Sequence, residues 1–177
     1  SKVIIMWGGN PASTQVNFMK HVQEARKKNN AYFIVVDPYL NKTARLADLH
    51  IKIRPGTDGA LACALMHEIF KSKKADHEYL KKFTKDYELL PEHLKEKTPE
   101  WAENISGVPA KIIKNFANIL CKKTPSYFRL GYGFSRQRNG SFNMHAVSCI
   151  PTILGSWKHT GGGAFYNNAD IYNINKD

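Results

Sequence analysis

The chain has 177 residues, 42% hydrophobic and 23% charged, long enough for one well-buried domain and without the low-complexity tracts or fixed-period repeats of disordered or solenoid chains. No apolar run approaches the roughly 20 residues that carry a helix across a bilayer. The net charge of +11, from 26 Lys and Arg against 15 Asp and Glu, permits a polyanionic partner. The excess, however, sits in helical stretches such as Arg26-Lys27-Lys28 and Lys71-Ser72-Lys73-Lys74 with no interleaved aromatics, so solvated helix faces are the expectation and nucleic acid is not.

In chain order, Val3-Ile4-Ile5-Met6 is a continuously apolar run that stops at Trp7-Gly8-Gly9-Asn10, the pattern of a strand covered on both faces and ending in a tight turn. A helix is predicted directly after it. Asn10 suits its cap, Pro11 its first position, and Val16, Met19, Val22 and Ala25 form its apolar stripe up to Lys28. Tyr32 to Val36 reads as a second strand ending at Asp37-Pro38. A turn around 42–48 leads to a third strand over His50 to Ile53, and Pro55-Gly56-Thr57-Asp58-Gly59 opens a helix through Leu61, Leu65, Met66 and Ile69. Residues 71–104 change to charged, aromatic-studded helical segments, an insertion or a lid over the sheet, with Tyr79, Phe83, Tyr87 and Trp101 as inward anchors. Pro109 starts another amphipathic helix, Ser126 to Leu130 reads as a fourth strand, and Gly131-Tyr132-Gly133-Phe134 leads into a helix through Met144, Val147, Ile150, Ile153 and Trp157 that ends near Gly161-Gly162-Gly163. The order predicts an α/β fold, a Rossmann-like open and mainly parallel sheet flanked by helices, in a single domain over 1–177.

Three turns after strands are the candidate chemistry. Gly8 and Gly9 let backbone approach a ligand closely, and with Asn10, Ser13 and Thr14 at a helix start they suit a phosphate; a tight turn without a ligand fits the same residues. Asp37 could accept ribose hydroxyls or simply serve the turn before Pro38. Asp58 could take two N–H bonds from a guanine edge or complement a helix dipole. The pattern matches neither GxGxxG nor GxxxxGK[ST], and no catalytic triad, Cys-His pair or acid pair can be picked out. Cys63, Cys121 and Cys149 are too scattered for a zinc ribbon or an iron–sulfur cluster and are expected to be buried thiols.

Taken together, the stretches Trp7-Gly8-Gly9-Asn10-Pro11-Ala12, Val35-Val36-Asp37-Pro38, Ala47-Asp48 and Arg54-Pro55-Gly56-Thr57-Asp58-Gly59 resemble the successive dinucleotide-binding turns of the molybdopterin oxidoreductase family, in its order. Gly131-Tyr132-Gly133-Phe134, then Arg136-Gln137-Arg138-Asn139-Gly140 and Gly161-Gly162-Gly163, are similar to its next signature segment. The resemblance implies a molybdopterin guanine dinucleotide as cofactor, with molybdenum or tungsten in a larger parent enzyme and any iron–sulfur cluster outside this segment. It implies further that Trp7, Gly8, Gly9, Asn10, Pro11, Ser13 and Thr14 meet phosphates and nucleoside, that Asp37, Pro38, Tyr39 and Asn41 meet ribose, and that Gly56, Thr57 and Asp58 meet guanine. Tyr132 and Arg136 would approach the pterin.

The segment supplies no metal ligand that sequence can assign, so it would bind and orient while other domains of the parent complete the enzyme. The immediate strand after Ser1 leads us to expect a piece of a longer chain, cytoplasmic, or periplasmic if a twin-arginine leader precedes it. The competing expectations are a free-standing nucleotide-binding module and a basic domain that engages nucleic acid.

Overall fold

Val3–Trp7 forms β1 because five consecutive apolar side chains, all buried, demand cover on both faces of a strand. The structure, a computed structural model, describes residues 1–167. In it β1 lies between β2 (Tyr32–Val36) and β4 (Ser126–Leu130) and is parallel to both, with Trp7 opposite Val36 on one side and Leu130 on the other. β3 (Leu49–Ile51) and β5 (Gly163–Tyr166) complete the order β3-β2-β1-β4-β5, in which every adjacent pair is parallel. The carboxyl ends of the strands therefore share one rim. The chain leaves β1 toward β2 and later returns on its other side as β4, which makes the β1/β4 junction a topological switch point.

Strand alternation divides the core into two layers. Ile4, Met6, Phe33 and Val35 face α1 (Pro11–Thr14) and α2 (Val16–Asn29), which contributes Met19 and Val22. Val3, Ile5, Trp7, Ile34 and Val36 face the larger layer beneath α3 (Asp58–Lys71), α7 (Ala110–Lys122) and α8 (Gly140–Ile153). The insertion folds as α4 (His77–Phe83), α5 (Leu90–Leu94) and α6 (Pro99–Ser106) and packs on α3 and α8 through Leu80, Leu94 and Ala102. Arg54 fastens it. The guanidinium donates to the carbonyls of Asn104 and Ile105 at 3.0 and 3.2 Å, where a cation complements the end of a helix.

The structure corrects several boundaries. The helix expected from Pro11 to Lys28 is broken at Gln15, which leaves helical geometry and begins a new helix at Val16. The third strand is Leu49–Ile51; Ile53 is buried but outside the ladder, because Arg54 N–H turns to the Ser106 carbonyl. The last helix stops at Ile153, before left-handed Gly155, so Trp157 sits in a separate 3₁₀ turn and is 49% exposed. The glycines at 161–163 lead into β5 rather than merely ending a helix. Within the insertion Phe83 is 61% exposed, stacked on Tyr79 at 4.8 Å, because the turn of α4 points Leu80 inward instead.

Candidate functional site

β1 and β4 end side by side, and the turns that follow them interlock. Gly131 N–H donates to the Trp7 carbonyl at 2.7 Å and Gly133 N–H to the Gly8 carbonyl at 2.9 Å. Gly8 holds a left-handed φ of +69°, which only glycine adopts readily, and its carbonyl lies so close to Gly131 that no side chain fits there. Asn10 does not cap α1 with its side chain. Its amide oxygen instead accepts from the Thr43 hydroxyl at 2.7 Å and from the Thr43 N–H at 3.3 Å, which pins the turn to the segment before β3.

On the β2 side of Gly8 the rim encloses a cavity of about 350 Å³ whose walls include Asp37, Pro38, Tyr39, Gly56, Asp58 and Arg136. These residues come from three separate turns, and five strands running the same way are what bring them together. Asp37 is buried, accepts the Tyr39 N–H at 2.8 Å, and offers its carbonyl to His50 Nε2 at 2.9 Å. Asp58 opens α3 and accepts the Trp7 indole N–H at 2.6 Å. Burial raises the pKa of both carboxyls; the Tyr39 amide, His50 and Asn41 oppose this at Asp37, and the Trp7 indole opposes it at Asp58. Two carboxyl groups bordering one half-enclosed space suit a ligand rich in N–H and O–H donors.

On the other side of Gly8 a second cavity, of about 200 Å³, is bordered by Gly9, Asn10, Pro11, Thr14, Arg129 and Tyr132. Gly8 is the wall common to both. Three other expected residues serve the frame in this structure. Ser13 accepts from Asn10 Nδ2 at 3.3 Å, Asn41 accepts the Ala44 N–H at 2.9 Å, and the Thr57 hydroxyl donates to the Arg54 carbonyl at 2.7 Å. Trp7 is fully buried and reaches the first cavity only through Asp58.

Gln137 and Phe134, which border the first cavity, and Arg129, which borders the second, were not among the expected site residues. Nor was the amide pair that holds the Gly56 turn. Asn139 Nδ2 donates to the Gly56 carbonyl at 2.9 Å, Asn143 Nδ2 donates to Asn139 Oδ1 at 3.2 Å, and Asn143 Oδ1 accepts the Gly59 N–H at 3.1 Å. The RQRNG stretch was visible as a signature, but its amide role was not, because no spacing rule links residues 84 positions apart. Asn143→Ala should lower stability by about 2 kcal/mol, since it empties a buried side-chain position and strands the part-buried Gly59 amide hydrogen and the Asn139 carboxamide. Denaturant unfolding checks this; a loss under about 0.5 kcal/mol would mean that water replaces Asn143 without penalty.

The three cysteines are half-buried free thiols rather than fully buried ones, and burial raises the pKa of each. Among the described residues no group of three or more His, Cys, Asp or Glu side chains converges closely enough to hold a metal ion, and no helix is long and apolar enough to cross a membrane.

A family model described as molybdopterin oxidoreductase matches residues 1–176. The chain is 41% identical over 177 residues to the probable oxidoreductase YoaE of Bacillus subtilis, covering 99% of this chain and 26% of that protein. It is 33% identical over 187 residues to the probable dimethyl sulfoxide reductase chain YnfF of Escherichia coli, with 93% and 23% covered. To the F420-dependent formate dehydrogenase 1 subunit alpha of Methanococcus maripaludis it is 30% identical over 160 residues, with 90% and 24% covered. The chain thus spans about a quarter of the length of the curated relatives it matches. Acetylene hydratase from Pelobacter acetylenicus has a similar fold, with a TM-score of 0.79 at 23% identity over 92% of this chain and 22% of that one.

Proposed function

The chain belongs to the molybdopterin oxidoreductase family, and from that membership we propose that its rim takes the guanine nucleotide end of a molybdopterin guanine dinucleotide. The observation that carries this reading is the convergence of Asp37, Gly56 and Asp58 on one cavity whose far wall is Gly8. The residues present fit such a group: Asp58 offers a carboxylate to the N–H edge of guanine, Asp37 offers one to ribose hydroxyls, and Gly56 turns the backbone between them with a left-handed φ of +80° that a side chain would strain. Thr14 and Asn10 border the neighbouring cavity, where phosphates would follow the nucleoside across Gly8.

When bound, the pterin-held molybdenum or tungsten supplies the two-electron redox chemistry. This chain's own residues bind and orient. Asp58 selects the base and Asp37 positions the sugar, while Arg136 borders the same nucleoside cavity and offers its planar fork to an acceptor oxygen of the nucleotide. As part of the same proposal, residues 1–177 form one domain, the remaining domains of the parent protein supply the metal ligand, and the whole couples electron transfer to oxygen-atom or proton transfer.

Titration with GDP, ADP and NAD at two salt concentrations tests the reading. Guanine selectivity of about tenfold or more over adenine is expected, equivalent to about 1.4 kcal/mol. Preference for ADP or NAD would replace it with a free-standing nucleotide-binding module, and steeply salt-dependent binding of any oligonucleotide with a nucleic-acid domain.

A further inference from the structure

The two edges of the sheet are guarded differently. β3 is three residues long and lies between Asp48 and Lys52, and short length with flanking charge keeps an edge from pairing with another chain. β5, the other edge, reads Gly-Ala-Phe-Tyr, without a charge or a proline. Among the described residues no strand pairs with its outer side.

Both faces of β5 carry aromatic surface into solvent. Ala164 and Tyr166 turn toward α8 and, with Met144, His145, Ser148 and Trp157, line a groove of about 390 Å³. Trp157 lies across Gly163, where a Cβ would stand 2.5 Å from the indole, and leaves half its own surface exposed. Tyr132 meets the Tyr166 ring edge-on at 6.1 Å. Phe165 turns to the opposite face, its ring centroid 5.1 Å from the Arg129 guanidinium carbon, and is 53% exposed. Aromatic surface gathered around an unpaired strand is the composition of an interface core.

Charge narrows the choice of occupant. No Asp or Glu occurs between Glu103 and Asp170, so α8, β4, β5 and the turns that frame the groove contribute no carboxylate. A second copy would bring the same carboxylate-free surface against itself, whereas an acidic segment complements it. The chain also spans only about a quarter of the length of the curated relatives it matches, so polypeptide outside it is the ready source of such a segment.

We infer that β5 is a docking edge, on which an extended, acidic segment from the remaining domains of the parent protein adds as a sixth strand. Main-chain bonds to β5 hold it, and its apolar side chains fill the groove beside Trp157 and cover Phe165. The inference rests on the reading of residues 1–177 as one domain of a longer protein and is independent of which nucleotide the rim takes.

Hydrogen exchange measured by mass spectrometry on the full-length parent and on the 177-residue chain tests it. Residues 163–166 should exchange at least about tenfold more slowly in the parent. Phe165→Thr in the parent keeps a β-branched strand residue but removes the ring, and should return them toward the rate of the 177-residue chain. His145→Glu should do the same, because it sets a like charge against the segment. Both side chains are exposed, so neither variant should move the melting temperature of the 177-residue chain by more than about 3 °C. Equal exchange in parent and chain overturns the proposal, because the edge is then free in both. Protection already complete in the 177-residue chain overturns it too: if it grows with concentration the occupant is a second copy, and if it does not the chain covers its own edge. Protection in the parent that withstands His145→Glu rules out an acidic segment, and with it the partner assigned here. GDP titration reads the rim alone, so the nucleotide reading and the docking edge fail separately.

Discussion

Replacing Gly131 by alanine is expected to lower folding stability by about 3 kcal/mol and to abolish nucleotide binding with it. The added methyl would stand 2.3 Å from the Gly8 carbonyl oxygen, 2.6 Å from its carbon and 2.8 Å from the Gly9 Cα, all of them main-chain atoms of the opposing turn. No rotamer change relieves such a contact. The turns can part only by giving up the bonds from Gly131 to Trp7 and from Gly133 to Gly8, each worth about 1 kcal/mol, and by moving the end of the central strand. Gly9→Ala is the control. Its methyl would meet Met6 Cε at 2.3 Å, the tip of a flexible side chain that can rotate away. Urea unfolding of the three proteins decides the matter: a Gly131→Ala midpoint equal to the wild type would mean that the two turns do not interlock.

Asp58→Asn is expected to pull stability and binding in opposite directions. Burial, the dominant influence, raises the Asp58 pKa above its ordinary 3.8, and the Trp7 indole offsets only part of this. Between those two values the folded chain holds a proton that the unfolded chain has released, so stability falls as pH rises through that window and the penalty is complete above it. Asparagine keeps an acceptor for the indole and removes the buried charge, so the variant should gain about 1 kcal/mol at neutral pH and nothing in acid below the window. Asp37 shares the direction of shift, and Asp76, lowered chiefly by its bond from Lys158, has the reverse one; both cancel in the difference between variant and wild type. GDP affinity should drop about 10- to 100-fold, because a charge-assisted pair of N–H bonds becomes neutral and mismatched. Unfolding measured at several pH values beside GDP titration checks both halves. A gain that is the same at every pH would remove the buried charge as its cause, and unchanged GDP affinity would remove Asp58 from the guanine contact.

What could be read in advance followed the strength of the local signal. β1, β2 and β4 were legible because strands covered on both faces are continuous apolar runs, and their carboxyl ends located Asp37 and the Gly8 turn. β5 was not. It is a four-residue edge strand opened by glycine, with Phe165 53% exposed, and nothing in it separates a strand from the tail of a glycine turn. The break at Gln15 carries no glycine or proline; Gln15 bonds Arg129, a partner 114 positions away. Arg129 itself is hidden by strand alternation, since a single cation among apolar residues reads as a solvent-facing position until α2 is known to cover that face. Asn143 was overlooked for the same reason on a helix, where a polar residue beside an apolar stripe passes for surface although it is buried here.

The indole of Trp7, fully buried and bonded to Asp58, also gives the cavity a built-in optical probe. Its emission should respond when that carboxylate is neutralised or engaged by a guest, without any attached dye. Trp101 and Trp157 lie in the insertion and in the turn after α8, so replacing both with phenylalanine would leave a single tryptophan whose emission, excited selectively beyond the tyrosine band, reads out the bond between the central strand and the start of α3.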